Sequence, residues 1–375
     1  MDQTDPGSPD DAAIDGESPE ALRHGCFIAW FGLSALFHVL NTGNSIRMFS
    51  DPSSLSWWYV ALSLCGLALV LLPVRAMRAG GAVTVVLAVL VLVTVWVESP
   101  VLGNHWLVSG LVALGMLLAF VHATVVRRNE FWEGATRLYV PVARSVFFVF
   151  YSFSALAKIN RAFLDPTVSC ANFFTEETAR SLGWASASMT GSGFWPHALP
   201  VVVIATEIGV VVMLSFPRSR LWGVVVAVLF HGVIALDGAH PFADFTSLVY
   251  AFMVLFLPDG FFVWLRSRLG SRAGVAAGTV RVVVGLAMTV LLLVQGLLLG
   301  PSWRQVSDDL EDSVWRVIGV ACVAVLIAYA ARRRVPSADR TTHGPAGAVP
   351  AARWLLVVPA LAVLNGLTPY VGLKT

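Results

Sequence analysis

The sequence predicts an all-α membrane protein, a polytopic bundle of transmembrane helices with about eleven spans and no fewer than nine. Three observations carry that reading. Hydrophobic residues make up 57% of the 375-residue chain and charged residues only 13%, about half the charged share of a soluble domain, and the mean hydropathy is +0.75. Apolar stretches recur that are long enough, at about 1.5 Å per helical residue, to cross a hydrocarbon core of about 30 Å. Arginines gather between alternate stretches, as they do on the cytoplasmic side of multi-pass proteins. Together these exclude a nucleic-acid-binding protein, a secreted disulfide scaffold and a disordered chain. Cys26, Cys65 and Cys322 fall within apolar runs and only Cys170 in a polar stretch, so no disulfide is expected.

Taken in order, residues 1–24 read as a disordered acidic cytoplasmic tail, with seven Asp and Glu against Arg23 alone, and not as a signal peptide, which starts basic. The transmembrane domain, 25–375, opens with a span at 25–44 that carries His38. Spans at 57–74 and 81–98 are separated by Arg75 and Arg78. A turn bearing Glu98, Asn104 and His105 leads to 104–126, which Arg127, Arg128 and Arg137 close. The span 138–158 holds Arg144 and ends on Lys158; the long outer loop 159–196 follows, rich in Ser, Thr and Gly and carrying Trp184 and Trp195 for an interfacial cap. Spans 197–216 and 220–237 contain Glu207 and His231, and a turn with Asp237, His240 and Asp244 leads into 243–265. The remaining spans are 279–300, 314–331 and 353–370, with an acidic outer loop at 308–312. Pro141, Pro200 and Pro258 interrupt spans, which bilayer helices tolerate when neighbours satisfy the freed carbonyls. Seventeen basic residues lie in the N-terminal tail and in the connections after the even-numbered spans, against seven in the other connections and the chain end, which places the N-terminus in the cytoplasm and the C-terminus outside a cell (inner) membrane.

An ionisable group at bilayer depth is expensive and so is a functional candidate. Lys158 has two readings, a snorkelling helix-end lysine or a reactive amine. Glu207 is at a depth similar to that of Arg144, which predicts a structural Arg144–Glu207 pair. His231 either bonds a carbonyl between helices or takes part in chemistry. His231, Asp237 and His240 do not share a helical face and Gly238 and Pro241 break the chain there, so no metal site is expected from them.

The stretch from Ser154 to Phe163, SALAKINRAF, resembles the AGLxKLxxxW segment of the vitamin K-dependent gamma-carboxylase and its bacterial relatives, the horizontally transferred transmembrane (HTTM) family. Glu207 in the next span, Phe230-His231 and the Pro241-Phe242 turn follow in the family's order, and residues 364–375, LNGLTPYVGLKT, are similar to its NGLxPYLGLKT signature. The resemblance implies a quinol-dependent carboxylase or epoxidase, of the lyase or oxidase class, acting on a small or lipid-soluble substrate at the outer face. Lys158 is then the base that deprotonates a reduced quinone (menaquinol or a vitamin K-like naphthoquinol), with His231 as its catalytic companion. The chemistry asks for a lysine because an ammonium is disfavoured in an apolar pocket and a neutral amine near pH 7 is a general base. Glu207, His38, Asp237 and His240 are the expected substrate-binding residues, in a pocket bounded by spans 138–158, 197–216 and 220–237. Membrane lipid and quinone are the expected partners, with no resident metal. Where the family carries paired lysines this chain has Ala157 before Lys158, and the lumenal β-rich part of the animal enzyme has no counterpart before Thr375. The alternative is a non-catalytic quinone- or lipid-binding or scaffolding membrane protein.

Overall fold

The computed structural model describes residues 18–41, 54–72, 77–99, 104–126, 131–184, 193–236, 242–297, 301–332 and 353–367. These residues are helices and their connections, with no strand among them. In chain order the helices are α1 (Pro19–Asn41), α2 (Ser54–Leu71), α3 (Met77–Glu98), α4 (Asn104–Val126), α5 (Phe131–Ala157), α6 (Arg161–Leu164), α7 (Cys170–Ser181), α8 (Phe194–Ser215), α9 (Arg220–Ile234), α10 (Ala243–Phe256), α11 (Asp259–Leu297) and α12 (Pro301–Arg332). A 3₁₀ turn at Arg353–Leu356 then leads into α13 (Val357–Leu367).

Six of these helices are long and apolar enough to cross a membrane, or seven if α10 and the start of α11, which meet at a bend of 102°, make one span. This is the architecture of a multi-pass membrane protein. Eleven full-length spans are not found among the described residues, because in the expected segments near 57–74, 220–237, 279–300 and 353–370 the apolar helical stretches, Trp57–Leu71, Arg220–Ile234, Thr279–Val294 and Arg353–Leu367, are only 10–17 residues long. At about 1.5 Å per residue, the 15 residues of α9 cover only about 22 Å. The acidic stretch 308–312 is not a loop, since it lies inside α12, and the expected loop 159–196 contains α6 and α7. The polar tail ends sooner than its composition implies. Ser18 caps the first turn through the Ala21 amide (3.1 Å), Pro19 follows with the backbone angle that a first helical residue needs, and Glu20 faces the positive helix end, so α1 begins at Pro19 rather than Gly25.

Two helices form the centre. From Phe31 to Leu40 every residue of α1 is buried, and so is every residue of α10 except Phe245, the pattern of helices enclosed on all sides. Around them the outer helices turn apolar side chains outward, among them Val86, Val89 and Val93 on α3, Val201, Ile208 and Val212 on α8, and Val317, Val320 and Ile327 on α12. Exposed valine and isoleucine rows on successive helices suit lipid and not water. α1 crosses α2 at Gly32 and Gly66, where an added Cβ would meet the facing carbonyl oxygen at 2.9 Å and 2.8 Å, so the two backbones touch where only hydrogen fits.

The prolines are answered locally. Pro200 cannot donate to the Pro196 carbonyl one turn earlier in α8, and the buried Asn172 amide of α7 donates to that oxygen instead, at 2.9 Å. Pro258 stops α10 at Phe256, and the bend that follows leaves the Leu255 carbonyl without a donor along its own helix. Arg144 of α5 supplies one, its Nε at 3.0 Å and an Nη closer still, with its guanidinium stacked over Phe256. Arg23 of α1 does the same for the Leu257 carbonyl (3.2 Å) and also pairs with Asp259. The expected Arg144–Glu207 pair is therefore corrected: Arg144 is spent on a helix end, where free carbonyls carry partial negative charge, and Glu207 has another partner.

Candidate functional site

Lys158 follows the last residue of α5, and the polar groups it reaches are set by helical spacing. Ser154, one turn earlier, presents its hydroxyl to Nζ at 2.9 Å, and Nζ donates to both carboxylate oxygens of Glu207 on α8, each at 2.9 Å. The Glu207 side chain is 5% exposed and that of Lys158 25%, so the carboxylate is enclosed and the amine meets open space. That space is a cavity of about 390 Å³ walled by His105, Val108 and Leu111 of α4, Phe150, Phe153 and Ala157 of α5, Phe242 and Phe245 at the start of α10, and Asn365 and Gly366 of α13. Gly366 is needed there, because a Cβ at that position would overlap the Phe153 ring and push α13 out of the wall. The pocket expected between spans 138–158, 197–216 and 220–237 is thus displaced. α5 does form one wall, but α4, α10 and α13 form the others, and α8 contributes only the carboxylate behind Lys158.

His231 of α9 lies a layer deeper. Its Nε2 shares a hydrogen bond with the Tyr151 hydroxyl (2.9 Å), its ring packs edge-on against Phe245, and it is 1% exposed, so Phe245 stands between it and the cavity. Its Nδ1 is buried without a hydrogen-bond partner. Lys158 and Glu207 are brought together, His231 is behind them, and His38 belongs to a different cluster. Asp237 and His240 lie outside the described residues.

That second cluster adjoins the cavity through His105. His38 is stacked flat on Trp106, with centroids 3.7 Å apart and planes at 6°. Its Nε2 is 3.1 and 3.2 Å from the two oxygens of Glu98 at the end of α3, and its Nδ1 is 3.4 Å from Asp244 Oδ2 in the first turn of α10. His105 Nε2 is 3.0 Å from the same Asp244 oxygen, and the Tyr59 hydroxyl donates to Glu98 at 2.8 Å. The Phe245 amide donates to Asp244 Oδ1 at 2.6 Å, so the helix N-terminus also faces this carboxylate. Sequence reading placed Glu98, His105 and Asp244 at outer span ends without joining them, and assigned His38 to substrate. The signal was there in ionisable groups at neighbouring span ends, but which spans adjoin is a tertiary fact. Known families, curated proteins and solved structures give no match to this chain.

Proposed function

We propose that the protein is a membrane enzyme of the HTTM, carboxylase-like type that binds a reduced quinone in the cavity beside Lys158 and acts on a small or lipid-soluble second substrate. One observation carries the reading: an amine held at 2.9 Å from both oxygens of an enclosed carboxylate forms the polar end of an otherwise mainly apolar and aromatic cavity. A volume of about 390 Å³ is within the range of small-molecule sites, and Phe150, Phe153, Phe242 and Phe245 offer faces and edges for a flat ring. A quinol bound there would supply reducing equivalents and an acidic hydroxyl. Lys158 is the proton acceptor for that hydroxyl. Glu207 holds the amine through both of its oxygens, which fixes Lys158 at the polar end of the cavity where a bound hydroxyl would meet it. Asn365 and His105, which also line the cavity, would supply donors and acceptors to orient a second oxygen.

The test is turnover by purified protein in lipid nanodiscs with menaquinol and oxygen, read by mass spectrometry of the extracted quinones. Quinone epoxide from the wild type, and none from Lys158→Arg at equal folding, is the expected result, because a guanidinium stays protonated. Quinone bound stoichiometrically by the wild type and recovered unchanged would overturn the enzymatic reading in favour of a carrier.

A further inference from the structure

We infer that His38, His105 and Asp244 form a binding site for one divalent first-row transition-metal ion, with its open coordination position facing the cavity. The inference does not depend on the quinol reading. The three residues come from α1, α4 and α10, far apart in sequence, and their ligand atoms all lie within 4.8 Å of one another. In a tetrahedral site with metal–ligand bonds of about 2.0–2.2 Å, neighbouring ligand atoms are about 3.4 Å apart. The Asp244 Oδ2 to His38 Nδ1 separation is 3.4 Å and Asp244 Oδ2 to His105 Nε2 is 3.0 Å, within a few tenths of an ångström of that spacing, and the third pair lies within 4.8 Å, so closing the site on an ion asks for a side-chain movement of the two histidines of about an ångström.

The surroundings select the occupant. Glu98, itself held by the Tyr59 hydroxyl, is placed to accept a proton from His38 Nε2, and with the proton there the Nδ1 lone pair would face Asp244. A lone pair facing a carboxylate oxygen is repulsive unless a proton or a cation lies between them. Trp106 clamps the ring in that orientation, and the side chains of His38 and Asp244 are 3% and 6% exposed, so water cannot relieve it. With two carboxylates in the cluster, a divalent ion leaves the whole group neutral with both histidines unprotonated, the form that binds metal. Two imidazoles and one carboxylate are the donor set that borderline ions such as Fe²⁺, Co²⁺ and Zn²⁺ take, in sites that leave a position open. His105 is the partly exposed member, at 28%, and lines the same cavity as Lys158, so the vacant position is where a substrate oxygen arrives.

The test is metal binding by the full chain, purified in detergent without a histidine tag and stripped with chelator. Equilibrium dialysis against Co²⁺ and Zn²⁺, counted by plasma mass spectrometry, should give about one ion per chain at micromolar metal. Asp244→Asn and His105→Ala should weaken binding at least 100-fold, and Glu98→Gln about 10- to 100-fold by freeing the His38 tautomer. His105→Ala is at the partly exposed position and its thermal unfolding should match that of the chelator-treated wild type, which separates loss of a ligand from loss of fold. X-ray absorption on zinc-loaded wild type should show two imidazole nitrogens and carboxylate oxygen at about 2.0–2.1 Å. Wild type that takes up no ion, or an ion retained unchanged by His105→Ala and Asp244→Asn, would overturn the proposal and leave a cluster held together by protons alone.

Discussion

Lys158 and Glu207 behave as one unit because the enclosed Glu207 charge depends on the Lys158 amine, even though that amine also reaches the Ser154 hydroxyl. Glu207 is enclosed by α8 and its neighbours and has the Lys158 amine on both oxygens, so removing the lysine leaves an uncompensated carboxylate in the bundle. Lys158→Met should therefore lower stability by about 2–3 kcal/mol, while Lys158→Met with Glu207→Leu should cost clearly less than the two single changes summed. Thermal unfolding in detergent measures this, and strict additivity would show that the two groups do not act as a pair. At this scale the sequence was legible in part. Lys158 stood out because an ionisable residue closing an apolar span demands explanation, and the resemblance of SALAKINRAF pointed to the same residue. Its partner was misassigned because depth along a span is readable from residue counts, whereas rotation about the helix axis and the identity of the neighbouring helix are not. Arg144 and Glu207 share a depth, yet Arg144 is turned toward the end of α10.

Elements in this protein are joined where a helix rule is broken. The break at Pro258 strands the Leu255 carbonyl, Pro200 strands that of Pro196, and a side chain from another helix answers each, Arg144 in the first case and Asn172 in the second. Arg144→Met should thus cost about 2 kcal/mol, the worth of a charge-assisted hydrogen bond to a carbonyl left in an apolar setting, and the loss should add to that of Glu207→Gln because the two residues have no common partner. Coupling between those two substitutions in a stability cycle would restore the pairing that depth alone implies. A second expectation concerns the α1–α2 crossing. With Cβ positions 2.8–2.9 Å from the opposing carbonyl, Gly66→Val forces the two backbones apart and should cost about 2–3 kcal/mol, where valine at an outward position such as Gly209 should be nearly neutral. Proline and glycine positions are plain in the sequence, and so are apolar runs, which is why the helices fall close to their expected places. Helix ends were less legible. Local capping moved the start of α1 to Pro19, and the acidic stretch at 308–312, polar enough to read as a loop, continues a helix.

At the scale of the whole molecule the question is which side of the membrane the cavity opens on, and the connection between α5 and α8 gives a prediction that needs no count of spans. Both helices are long and apolar enough to cross, and the stretch joining them carries α6, α7 and Cys170. Arg137 lies near the start of α5, with Arg127 and Arg128 before it in the sequence, and Arg218 and Arg220 follow the end of α8, so the positive-inside rule predicts that the α6–α7 segment is outside, and with it the Lys158 end of the cavity. Cys170 is an exposed native thiol in that segment and is a ready reporter once Cys26, Cys65 and Cys322 are replaced by serine. An impermeant maleimide on intact cells should label Cys170, whereas Ser267→Cys, at an exposed position between Arg266 and Arg268, should react only after the membrane is opened. The pH dependence gives an internal check. Neighbouring groups cover part of the Cys170 thiol, and that loss of hydration raises it above the ordinary thiol value, so the reactive thiolate is scarce at neutral pH and labelling should accelerate as pH rises. Labelling of Ser267→Cys in intact cells with Cys170 protected would invert the orientation, turn the cavity toward the cytoplasm and place its substrate there.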